Sequence, residues 1–564
     1  MKIAKEVKNI IEGDVEFSEK TLNEYSTDAS IFKVKPKLVV FPKSSQDLKS
    51  LVNFVSQKNN EGESISLTMR SGGTDMTGGP LNDSIIVDIN RYLNKAGEVS
   101  KGINKKDHSA NKYTVGYGST RPGAYYRNFE LKTLKENLLM PSYPASREIC
   151  TVGGMVANNS GGEKTLRYGK TEQYVAELDV ILADGEKYKI KPLNSIELKN
   201  KKEQDNFEGE LYRKVYNLIE SNYDIIQEAK PKVSKNSAGY NLWNIWDKES
   251  GIFDMTQLFV GSQGTLGIID NIKFRLVEPA KHKKMVVLFL RNTEELANIV
   301  NKSLKFNPES LESYDDKTLK LVFKYFIDFI KILGFKNIFK LAWSFLPEAK
   351  LVLSGGFPKL IILAEFTGDD KTEVEKIALE AQKSLDNFDT VSTHLVKDEL
   401  EAKKYWTIRR EAFNLIRNHL KGEKSEPFID DLIVRPEKLP IFLPKLYKIL
   451  DQYKDKMTYA IGGHSGDGNM HIYSIMDPHD PETRDIIEEL SEKVYALTLE
   501  LEGSITAEHN DGLIRSPFLK QMYGEEIYKL FKEIKNIFDP KDIFNPKKKV
   551  NSDFQYALDH FKED

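Results

Sequence analysis

Apolar and polar positions along the first 90 residues predict an alternation of strand and helix. Residues 37–41 form a mostly apolar run that indicates a buried strand, and further runs at 65–69 and 84–89 indicate two more. Ser44 is an N-cap residue type, and the helix that it opens has its apolar residues at helical spacing, at Leu48, Leu51, Val52 and Val55. Strand, helix and strand in this order are typical of an α/β unit.

The pattern of elements changes near Pro279. Before it, apolar runs predict strands at residues 175–182 and 273–277, and the polar segment 194–210 is typical of a surface insertion. After it, the elements are mixed as in an α+β domain, with strands predicted at 285–290 and 360–366 and helices at 371–385, 400–420 and 516–538. We therefore divide the chain into a helical segment at 1–30, domains at 31–280 and 281–515, and a C-terminal helical segment at 516–564.

The composition is that of a globular chain. Of the 564 residues, 40% are hydrophobic and 30% charged, and a formal net charge of -3 argues against a nucleic-acid binder. The one cysteine, Cys150, excludes an internal disulfide and an iron–sulfur cluster held by four cysteines of this chain. The charged N-terminus does not resemble a signal peptide, and no apolar run is long enough to span a bilayer, so we expect a cytoplasmic protein.

Residues 69–79, between the second and third predicted strands, form a loop with four glycines, two threonines and one serine. Glycine permits positive φ, and successive backbone N–H groups can converge into a nest for an anion such as pyrophosphate. The alternative is an ordinary tight hairpin loop, because glycine is common in turns. Two more glycine-rich blocks lie at residues 151–162 and 258–269.

Histidines and a carboxylate are grouped in two short stretches near the end of the chain. His464 and His471 flank a glycine-rich turn, and Glu508 and His509 are adjacent. Imidazole and carboxylate groups suit a divalent transition metal with a position left open for substrate. The alternative is structural, with the histidines hydrogen-bonded within the turn.

These blocks together resemble the FAD-dependent D-2-hydroxyacid dehydrogenases, which include D-lactate dehydrogenases, glycolate oxidase flavin subunits and D-2-hydroxyglutarate dehydrogenases. The segments that carry the resemblance are residues 70–75, 150–162, 260–267, 464–471 and 508–509. It implies an α+β protein with an FAD-binding domain of the vanillyl-alcohol-oxidase (PCMH) type, built of two subdomains, at 31–280. It also implies a ferredoxin-like cap domain at 281–515 and a C-terminal tail that returns to the FAD domain.

The resemblance implies noncovalent FAD, with its pyrophosphate bound by backbone amides of residues 71–75. The FAD-binding residues that it implies are Arg70, Ser71, Gly72, Gly73, Thr74, Asp75, Pro141, Gly153, Gly154, Asn158, Gly161, Tyr168, Gly169, Gly264, Ile269, Asn545 and Lys547. Cys150 lies one place from the position used for covalent flavin links in some proteins of this fold. We expect it to be a buried, small apolar residue.

The resemblance also implies a metal-assisted mechanism. His464, His471 and Glu508 correspond to the metal ligands of the family, with zinc as the first candidate and iron or manganese as alternatives. His509 corresponds to the general base, a role that suits an imidazole of ordinary pKa. Arg409 corresponds to the arginine that binds the substrate carboxylate, although Arg410 beside it is the alternative or both are surface residues.

The function implied is oxidation of a short D-2-hydroxy acid, with D-lactate as the best candidate and glycolate or D-2-hydroxyglutarate as alternatives. Tyr473 replaces the asparagine found in hydroxyglutarate-selective relatives, which favours a monocarboxylate. Two further alternatives are a catalytically silent flavin-binding subunit and a metal hydrolase without flavin. Without iron–sulfur ligands, the enzyme needs a separate acceptor: an electron-transfer flavoprotein, an iron–sulfur subunit, a cytochrome or a quinone.

One segment lies outside the resemblance. Residues 317–347 interleave six lysines with aromatic and aliphatic residues against the single acid Asp328. A basic amphipathic helix of this kind can lie at a membrane interface, which would place the protein on the inner face of the membrane. The alternative is a helical hairpin packed on the cap domain.

Overall fold

The computed structural model describes residues 2–104, 106–324, 356–419 and 424–563. The first sheet of the protein carries the glycine-rich loop. The strands of that sheet are β1 (Asp14–Glu16), β2 (Leu38–Phe41), β3 (Leu67–Arg70) and β4 (Ile85–Asp88), in the order β1-β2-β4-β3. The helices beside it are α1 (Lys2–Lys8), α2 (Glu19–Glu24) and α3 (Ser45–Asn60). The prediction of an entirely helical N-terminal segment is wrong, because β1 pairs antiparallel with β2.

The predicted helix after Ser44 is confirmed. The Ser44 side chain accepts a hydrogen bond from the backbone N–H of Asp47 at 3.2 Å, which satisfies one of the free donors at the start of α3. The four apolar residues at helical spacing are fully buried against the first sheet. Local capping and periodicity therefore determine this element.

The glycine-rich loop joins two parallel strands, so the hairpin interpretation is wrong. Leu67 of β3 pairs with Ile85 of β4, and Arg70 pairs with Asp88, in parallel register. Parallel neighbours need a crossover of a dozen or more residues. Residues 71–84 supply that crossover as a loop that runs past one end of the sheet.

A second sheet completes the N-terminal half. Its strands are β5 (Ala96–Lys101), β6 (Gly116–Thr120), β7 (Val175–Ile181), β8 (Lys187–Ile190) and β11 (Ile268–Leu276), in the antiparallel order β5-β6-β11-β7-β8. A small ribbon precedes the last strand, formed by β9 (Trp246–Asp247) and β10 (Ile252–Phe253). The helices of this half are α4 (Tyr126–Leu134), α5 (Val152–Asn158), α6 (Thr165–Tyr168), α7 (Ser195–Lys202), α8 (Phe207–Ser221), α9 (Tyr223–Glu228) and α10 (Thr256–Phe259).

The C-terminal half is built on one sheet. Its strands are β12 (His282–Leu290), β13 (Ser310–Asp315), β14 (Leu360–Gly368), β15 (Val391–Leu395), β16 (Lys424–Ser425), β17 (Leu432–Ile433), β18 (Met457–His464) and β19 (Asn469–Met476). The order is β15-β12-β14-β13-β18-β19-β16, with β17 also paired to β19. The helices of this half are α11 (Leu296–Leu304), α12 (Asp316–Lys324), α13 (Lys371–Leu385), α14 (Glu399–His419), α15 (Leu439–Leu450) and α16 (Thr483–Glu500).

The first four strands of this sheet have the predicted ferredoxin-like arrangement. Numbered in chain order, β12 to β15 lie as 4-1-3-2, and α11 and α13 connect the first pair and the last pair. The remaining strands widen the sheet beyond β13. We call this half the cap.

The C-terminal tail returns to the first sheet. Its helices are α17 (Gly512–Arg515), α18 (Leu519–Phe538) and α19 (Phe554–Asp559). Elsewhere in the chain and at the start of the tail, single 3₁₀ turns lie at Thr171–Gln173, Pro436–Lys438, Asp451–Tyr453 and Ser516–Phe518. Phe544 bridges to Leu67 of β3, and Phe561 bridges to Phe32. The tail is thereby paired to the strand that leads into the glycine-rich loop.

Residues 325–347 of the predicted basic segment lie outside the described residues. Its first part belongs to α12, which ends at Lys324. Across the residues that the structure describes, no helix is both long enough and apolar enough to cross a membrane.

Candidate active site

A cavity of about 590 Å³ connects the glycine-rich loop with the cap sheet. Its walls come from residues 69–80, from residues 143–163, from residues 263–269 and from a group of polar side chains on the cap. The volume lies within the roughly 300–1,000 Å³ typical of small-molecule sites. One cavity therefore contacts both the glycine-rich loop and the histidine stretches that the sequence singles out.

The glycine-rich loop offers free backbone donors. The Asp75 carboxylate organises the loop by accepting the N–H groups of Thr77 at 3.1 Å and Gly79 at 2.7 Å. Gly73 has φ of +66°, a left-handed conformation that favours glycine. Within the described part of the chain, the backbone N–H groups of residues 71–75 donate to no protein acceptor. Such consecutive donors form a nest that fits a phosphate or pyrophosphate group.

Two glycines after α5 allow this half of the protein to approach the cap. A Cβ atom on Gly161 would lie 2.6 Å from Oε1 of Glu508, and one on Gly162 would lie 2.2 Å from the carbonyl oxygen of Tyr143. Any larger residue would force these groups apart. Gly161 thus allows a close approach to Glu508 of the cap, and Gly162 allows close packing on the Tyr143 backbone.

Strand register brings the two histidines together. Gly462 of β18 pairs with His471 of β19, so His464, two residues further along, lies diagonally across from His471 on the same face. The ring centroids are 5.2 Å apart, and both side chains are buried. The glycine turn between the strands therefore serves to place two imidazoles side by side.

Carboxylates fix the orientation of both imidazole rings. Nδ1 of His464 lies 2.5 Å from Oε1 of Glu312, and Nδ1 of His471 lies 3.1 Å from Oδ1 of Asp430. The remaining nitrogen of each ring, Nε2, is left for another ligand. Carboxylate–histidine pairs of this kind orient metal ligands in proteins.

Asp431 holds the Glu508–His509 segment beside these rings. Its Oδ2 accepts the backbone N–H groups of Glu508 and His509, each at 2.7 Å. The His509 ring stacks on His471 with centroids 5.0 Å apart, and its Nδ1 lies 2.7 Å from Oδ2 of Asp430. Two adjacent aspartates therefore position both the backbone and the ring of His509.

Glu508 is held between a cation and an imidazole. Its Oε1 accepts a hydrogen bond from Nζ of Lys235 at 2.7 Å, and its Oε2 lies 3.4 Å from Nε2 of His464. Lys235 is buried and also lies 2.9 Å from Asp467. One carboxylate oxygen is thus taken by lysine, and the other faces the histidines.

Candidate ligand atoms converge at this point. Those of Asp431, His471, Glu508 and His509 lie within 4.8 Å of one another, and Nε2 of His464 is near the same Glu508 oxygen. Asp431 already accepts hydrogen bonds from two backbone amides, so it suits a supporting role better than that of a ligand. His471 and Glu508 of the predicted set belong to this group and His464 adjoins it through Glu508, so the predicted donors, two imidazoles and one carboxylate, suit a divalent metal.

Burial and nearby charges shift the pKa values of His509 and His471 in opposite directions. Burial would lower the pKa of His509, but Asp431 and Asp430 raise it to about 9. For His471 burial prevails over Asp430, and the pKa falls below its ordinary value. Burial would raise the pKa of Glu508, but Lys235 and His464 hold it well below its ordinary value. In these surroundings, the pKa of His509 is therefore not the ordinary value on which the sequence argument for a general base relies.

Two adjacent arginines of α14 line the cavity next to the cluster. The Arg409 side chain is 10% exposed, donates from Nη1 to the Tyr473 hydroxyl at 3.3 Å and has its Nε 3.3 Å from Oε2 of Glu312. Arg410 contacts Glu163 instead, through Nε at 3.1 Å. Arg409 is the better placed of the two to meet a ligand held at the histidines.

Two protein families match the chain. Residues 36–191 match the FAD binding domain family, and residues 279–549 match the C-terminal domain of the FAD linked oxidases. The chain belongs to the FAD-linked oxidases. The resemblance to flavin-dependent hydroxyacid dehydrogenases is thus confirmed, and the two matched regions are those that meet at the cavity.

Curated relatives of this FAD-linked oxidase carry three kinds of name. A D-2-hydroxyglutarate dehydrogenase of Pantoea ananatis is 25% identical over 529 residues, which are 93% of this chain and 49% of the relative. The glycolate oxidase subunit GlcD of Bacillus subtilis is 25% identical, with 94% and 92% covered, and a D-lactate dehydrogenase of Archaeoglobus fulgidus is 24% identical, with 91% of each covered. The chain spans about half the length of the hydroxyglutarate relative and nearly all of the other two.

Solved structures support the fold assignment. A 4-ethylphenol oxidase from Gulosibacter chungangensis superposes with a TM-score of 0.67 at 15% identity, and p-cresol methylhydroxylase with 0.62 at 14%, with 98% of each chain covered in both cases. An alkyldihydroxyacetonephosphate synthase gives 0.65 at 15%, covering 97% of this chain and 86% of that one. The predicted α+β class, with a PCMH-type FAD-binding domain and a cap, is confirmed.

The structure brings most predicted FAD-binding residues of this FAD-linked oxidase to the cavity wall. Those that line it are Arg70, Ser71, Gly73, Thr74, Asp75, Gly153, Gly154, Asn158, Gly161, Gly264 and Ile269. Those that do not are Gly72, Pro141, Tyr168, Gly169, Asn545 and Lys547. With the free N–H groups of residues 71–75, this wall fits FAD. Cys150 also lines the cavity, and burial raises the pKa of its thiol to about 12.

Two of the residues away from the wall have other contacts. Asn545 lies behind the loop and donates from Nδ2 to the carbonyl oxygens of Gly79 at 3.0 Å and Gln263 at 2.7 Å. Lys547 lies over the Tyr556 ring, with Nζ 3.6 Å from its centroid. Asn545 therefore supports the glycine-rich loop from outside the cavity.

Sequence reasoning missed the carboxylates around the histidines, namely Glu312, Asp430 and Asp431. One signal was available: the two aspartates interrupt the apolar run from Phe428 to Val434, where charged residues need a specific partner. Glu312 had no comparable local signal. Its partner His464 lies more than 150 positions away and meets it only through the pairing of β13 with β18.

Proposed function

We propose that this FAD-linked oxidase oxidises a short D-2-hydroxy acid to the 2-oxo acid, with D-lactate to pyruvate as the best candidate. The observation that carries the proposal is the single cavity that joins the free N–H groups of residues 71–75 to the histidine–carboxylate cluster and Arg409. The names of the D-lactate dehydrogenase and glycolate oxidase relatives support a hydroxy acid substrate.

Each group of the site has a distinct task. Bound FAD would supply the two-electron acceptor that takes the hydride from C2. A divalent cation held by His464, His471 and Glu508, with zinc preferred over iron or manganese, would acidify the 2-hydroxyl and lower the pKa of nearby His509 by its charge. Arg409 binds the substrate carboxylate through its guanidinium.

His509 takes the hydroxyl proton. Its Nδ1 faces Asp430, so Nε2 is the nitrogen left to accept that proton. Stacking on His471 and the two backbone hydrogen bonds to Asp431 keep the ring in place. The substrate would thus lose its hydroxyl proton to His509, and the C2 hydride, which bound FAD would accept, carries both electrons removed.

We further propose that the electrons leave through a separate acceptor. The chain has one cysteine, which is too few for an iron–sulfur cluster bound by cysteines of this chain alone. The acceptor would be an electron-transfer flavoprotein, an iron–sulfur subunit, a cytochrome or a quinone. Membrane contact through residues 317–347 stays a prediction.

D-2-hydroxyglutarate is the second candidate substrate. The name of the Pantoea relative, which covers 93% of this chain, favours it. The two candidates differ in one feature, since hydroxyglutarate carries a second carboxylate and lactate does not.

Anaerobic titration of the purified yellow protein tests the proposal. D-lactate, L-lactate, glycolate and D-2-hydroxyglutarate are added in turn, and the flavin absorbance near ~450 nm is followed. D-lactate is expected to bleach the flavin and L-lactate is not. Failure of all four acids to bleach it would refute the hydroxy acid assignment.

Replacement of His509 tests the assignment of the base. His509→Ala is expected to keep the yellow colour and to slow substrate bleaching by about 10²–10⁴-fold, the usual contribution of a general base. His479→Ala is the matched control, because His479 is exposed and lies on a turn outside the cavity. Bleaching at the wild-type rate in His509→Ala would remove His509 from the mechanism.

A further inference from the structure

The two cavity arginines of α14 differ in what they leave free for a ligand. Arg409 is half-buried and turned toward the cluster, where the Tyr473 hydroxyl and Glu312 contact it. Arg410 is 38% exposed and has both donors of one edge, Nε at 3.1 Å and Nη2 at 2.5 Å, on the same Glu163 oxygen. The carboxylate-binding edge of Arg410 is therefore already occupied by the protein.

Glu163 is held in position from both sides. Its Oε1 accepts a hydrogen bond from the Tyr143 hydroxyl at 3.3 Å, and its Oε2 meets Arg410. It follows directly on Gly162, whose backbone packs against the Tyr143 carbonyl too closely for any side chain. The Glu163 carboxylate is thus fixed by two hydrogen-bond partners, and its backbone by the close packing of Gly162.

Both members of the pair line the cavity beside the cluster. The Arg410 guanidinium lies over the Trp406 ring, 4.6 Å from its centroid, so this part of the wall is aromatic with a neutralised ion pair. Arg147, on the neighbouring loop, also has an acidic partner, since its Nε lies 3.6 Å from Glu148. A substrate held by Arg409 would therefore find both of these arginines of the cavity wall already paired with acids.

We propose that the Glu163–Arg410 pair is a selectivity device that restricts the cavity to 2-hydroxy acids with one carboxylate. A second carboxylate would find no free cation here, because Glu163 occupies the carboxylate-binding edge of Arg410, and an unpaired carboxylate in a partly desolvated site is unfavourable. A methyl or small apolar group on C2 would meet Trp406 and Tyr143 without loss. This inference rests on the proposed oxidation of hydroxy acids and names the substrate class for the same site.

Replacement of Glu163 tests the selectivity role. Glu163→Gln keeps the size of the side chain and releases the charge of Arg410. The ratio of kcat/KM for D-2-hydroxyglutarate to that for D-lactate, measured with an artificial electron acceptor, is expected to rise by about tenfold or more, mainly through KM. A structural defect would slow both substrates alike and leave the ratio unchanged.

Two further variants sharpen the test. Glu563→Gln removes the same charge from the partner of Arg484, an exposed pair outside the cavity lining, and the ratio is expected to stay within about twofold of wild type because Arg410 remains paired. The double variant Glu163→Gln with Arg410→Gln removes the released cation, so the ratio is expected to fall back toward wild type. FAD content measured by absorbance verifies that each variant is folded.

The possible results separate the inference from the proposed function. An unchanged ratio in Glu163→Gln, or a wild-type enzyme that prefers D-2-hydroxyglutarate, would overturn the inference and leave hydroxy acid oxidation intact. Absence of flavin bleaching by every hydroxy acid would overturn both. A raised ratio that persists in the double variant would also overturn it, because Arg410 would then not be the group released.

Discussion

At the scale of single residues, the site depends on buried charges that have fixed partners. Lys235 is the clearest case, because its side chain is only 2% exposed and contacts Glu508 at 2.7 Å and Asp467 at 2.9 Å. The lysine neutralises two buried carboxylates and turns Glu508 so that its other oxygen faces His464. Removing one partner of such a group leaves an uncompensated charge in the interior.

Lys235→Met should therefore destabilise the protein strongly. We expect the free energy of unfolding to fall by about 3–5 kcal/mol, measured by urea denaturation of the holoenzyme followed by tryptophan fluorescence. Lys232→Met is the control, since Lys232 and its partner Glu502 are 65% and 48% exposed and such a surface pair contributes at most ~1 kcal/mol. Equal losses in the two variants would show that Lys235 is not a buried neutralising charge.

The same scale shows what sequence patterns can reveal of a site. His464, His471 and Glu508–His509 stand out because each pair is close in sequence and the residue types bind metals. Glu312 and Asp430 do not, because each reaches its histidine from a distant strand or loop, and only the folded sheet defines that contact. The residues proposed to contact a ligand were thus easier to predict than the carboxylates that orient those residues.

At the scale of elements, the C-terminal strap, residues 542–551, holds the glycine-rich loop from outside. Five of its residues that are not glycine have positive φ, namely Asp542, Asn545, Lys547, Lys549 and Asn551. Such conformations cost free energy and persist only where other contacts offset them. Asn545 makes such contacts with Gly79, Gln263 and Thr68, whose hydroxyl donates to its Oδ1 at 3.0 Å.

Asn545→Ala should loosen the loop and weaken FAD binding. Loss of three buried hydrogen bonds leaves two carbonyl oxygens unsatisfied, so we expect the Kd for FAD to rise by about tenfold or more. The measurement is fluorescence titration of deflavinated protein with FAD. Lys547→Ala is the control: it shares the positive φ, but its exposed side chain contacts Tyr556 rather than the loop, and an equal rise in Kd there would refute the role of Asn545.

Elements were predictable where their signals were local. The helix after Ser44 has its cap and apolar face within a few residues, and it forms as predicted. The pairing of β3 with β4 was missed because a loop between two strands looks alike whether they end up parallel or antiparallel. β1 was missed for a related reason, since a strand of three residues has too few positions to establish a period of two.

At the scale of the whole molecule, one hydrophobic core contains residues of both halves. It fixes the position of the glycine-rich loop relative to the histidine cluster. Ile31, Phe32 and Leu81 of the N-terminal half pack in the same core as strands of the cap. The cavity crosses this junction, with the free N–H groups on one side and the histidines on the other. No local sequence pattern could predict the distance between the loop and the histidines, because it depends on packing between segments hundreds of residues apart.

The groups proposed to bind FAD and those proposed to bind the metal lie at separate positions, so we expect that the metal can be removed without the FAD. The donors proposed for FAD are backbone amides of residues 71–75, whereas the proposed metal ligands are side chains of the cap sheet and of Glu508. Dialysis against a chelator should therefore leave the flavin absorbance intact while slowing D-lactate bleaching by at least roughly 100-fold, because metal assistance is worth several kcal/mol. Adding back Zn²⁺, Mn²⁺ or Fe²⁺ singly should restore the rate with one of them. A chelated protein that bleaches at the full rate would exclude the metal role, and loss of FAD together with the metal would mean that the cluster holds the flavin itself.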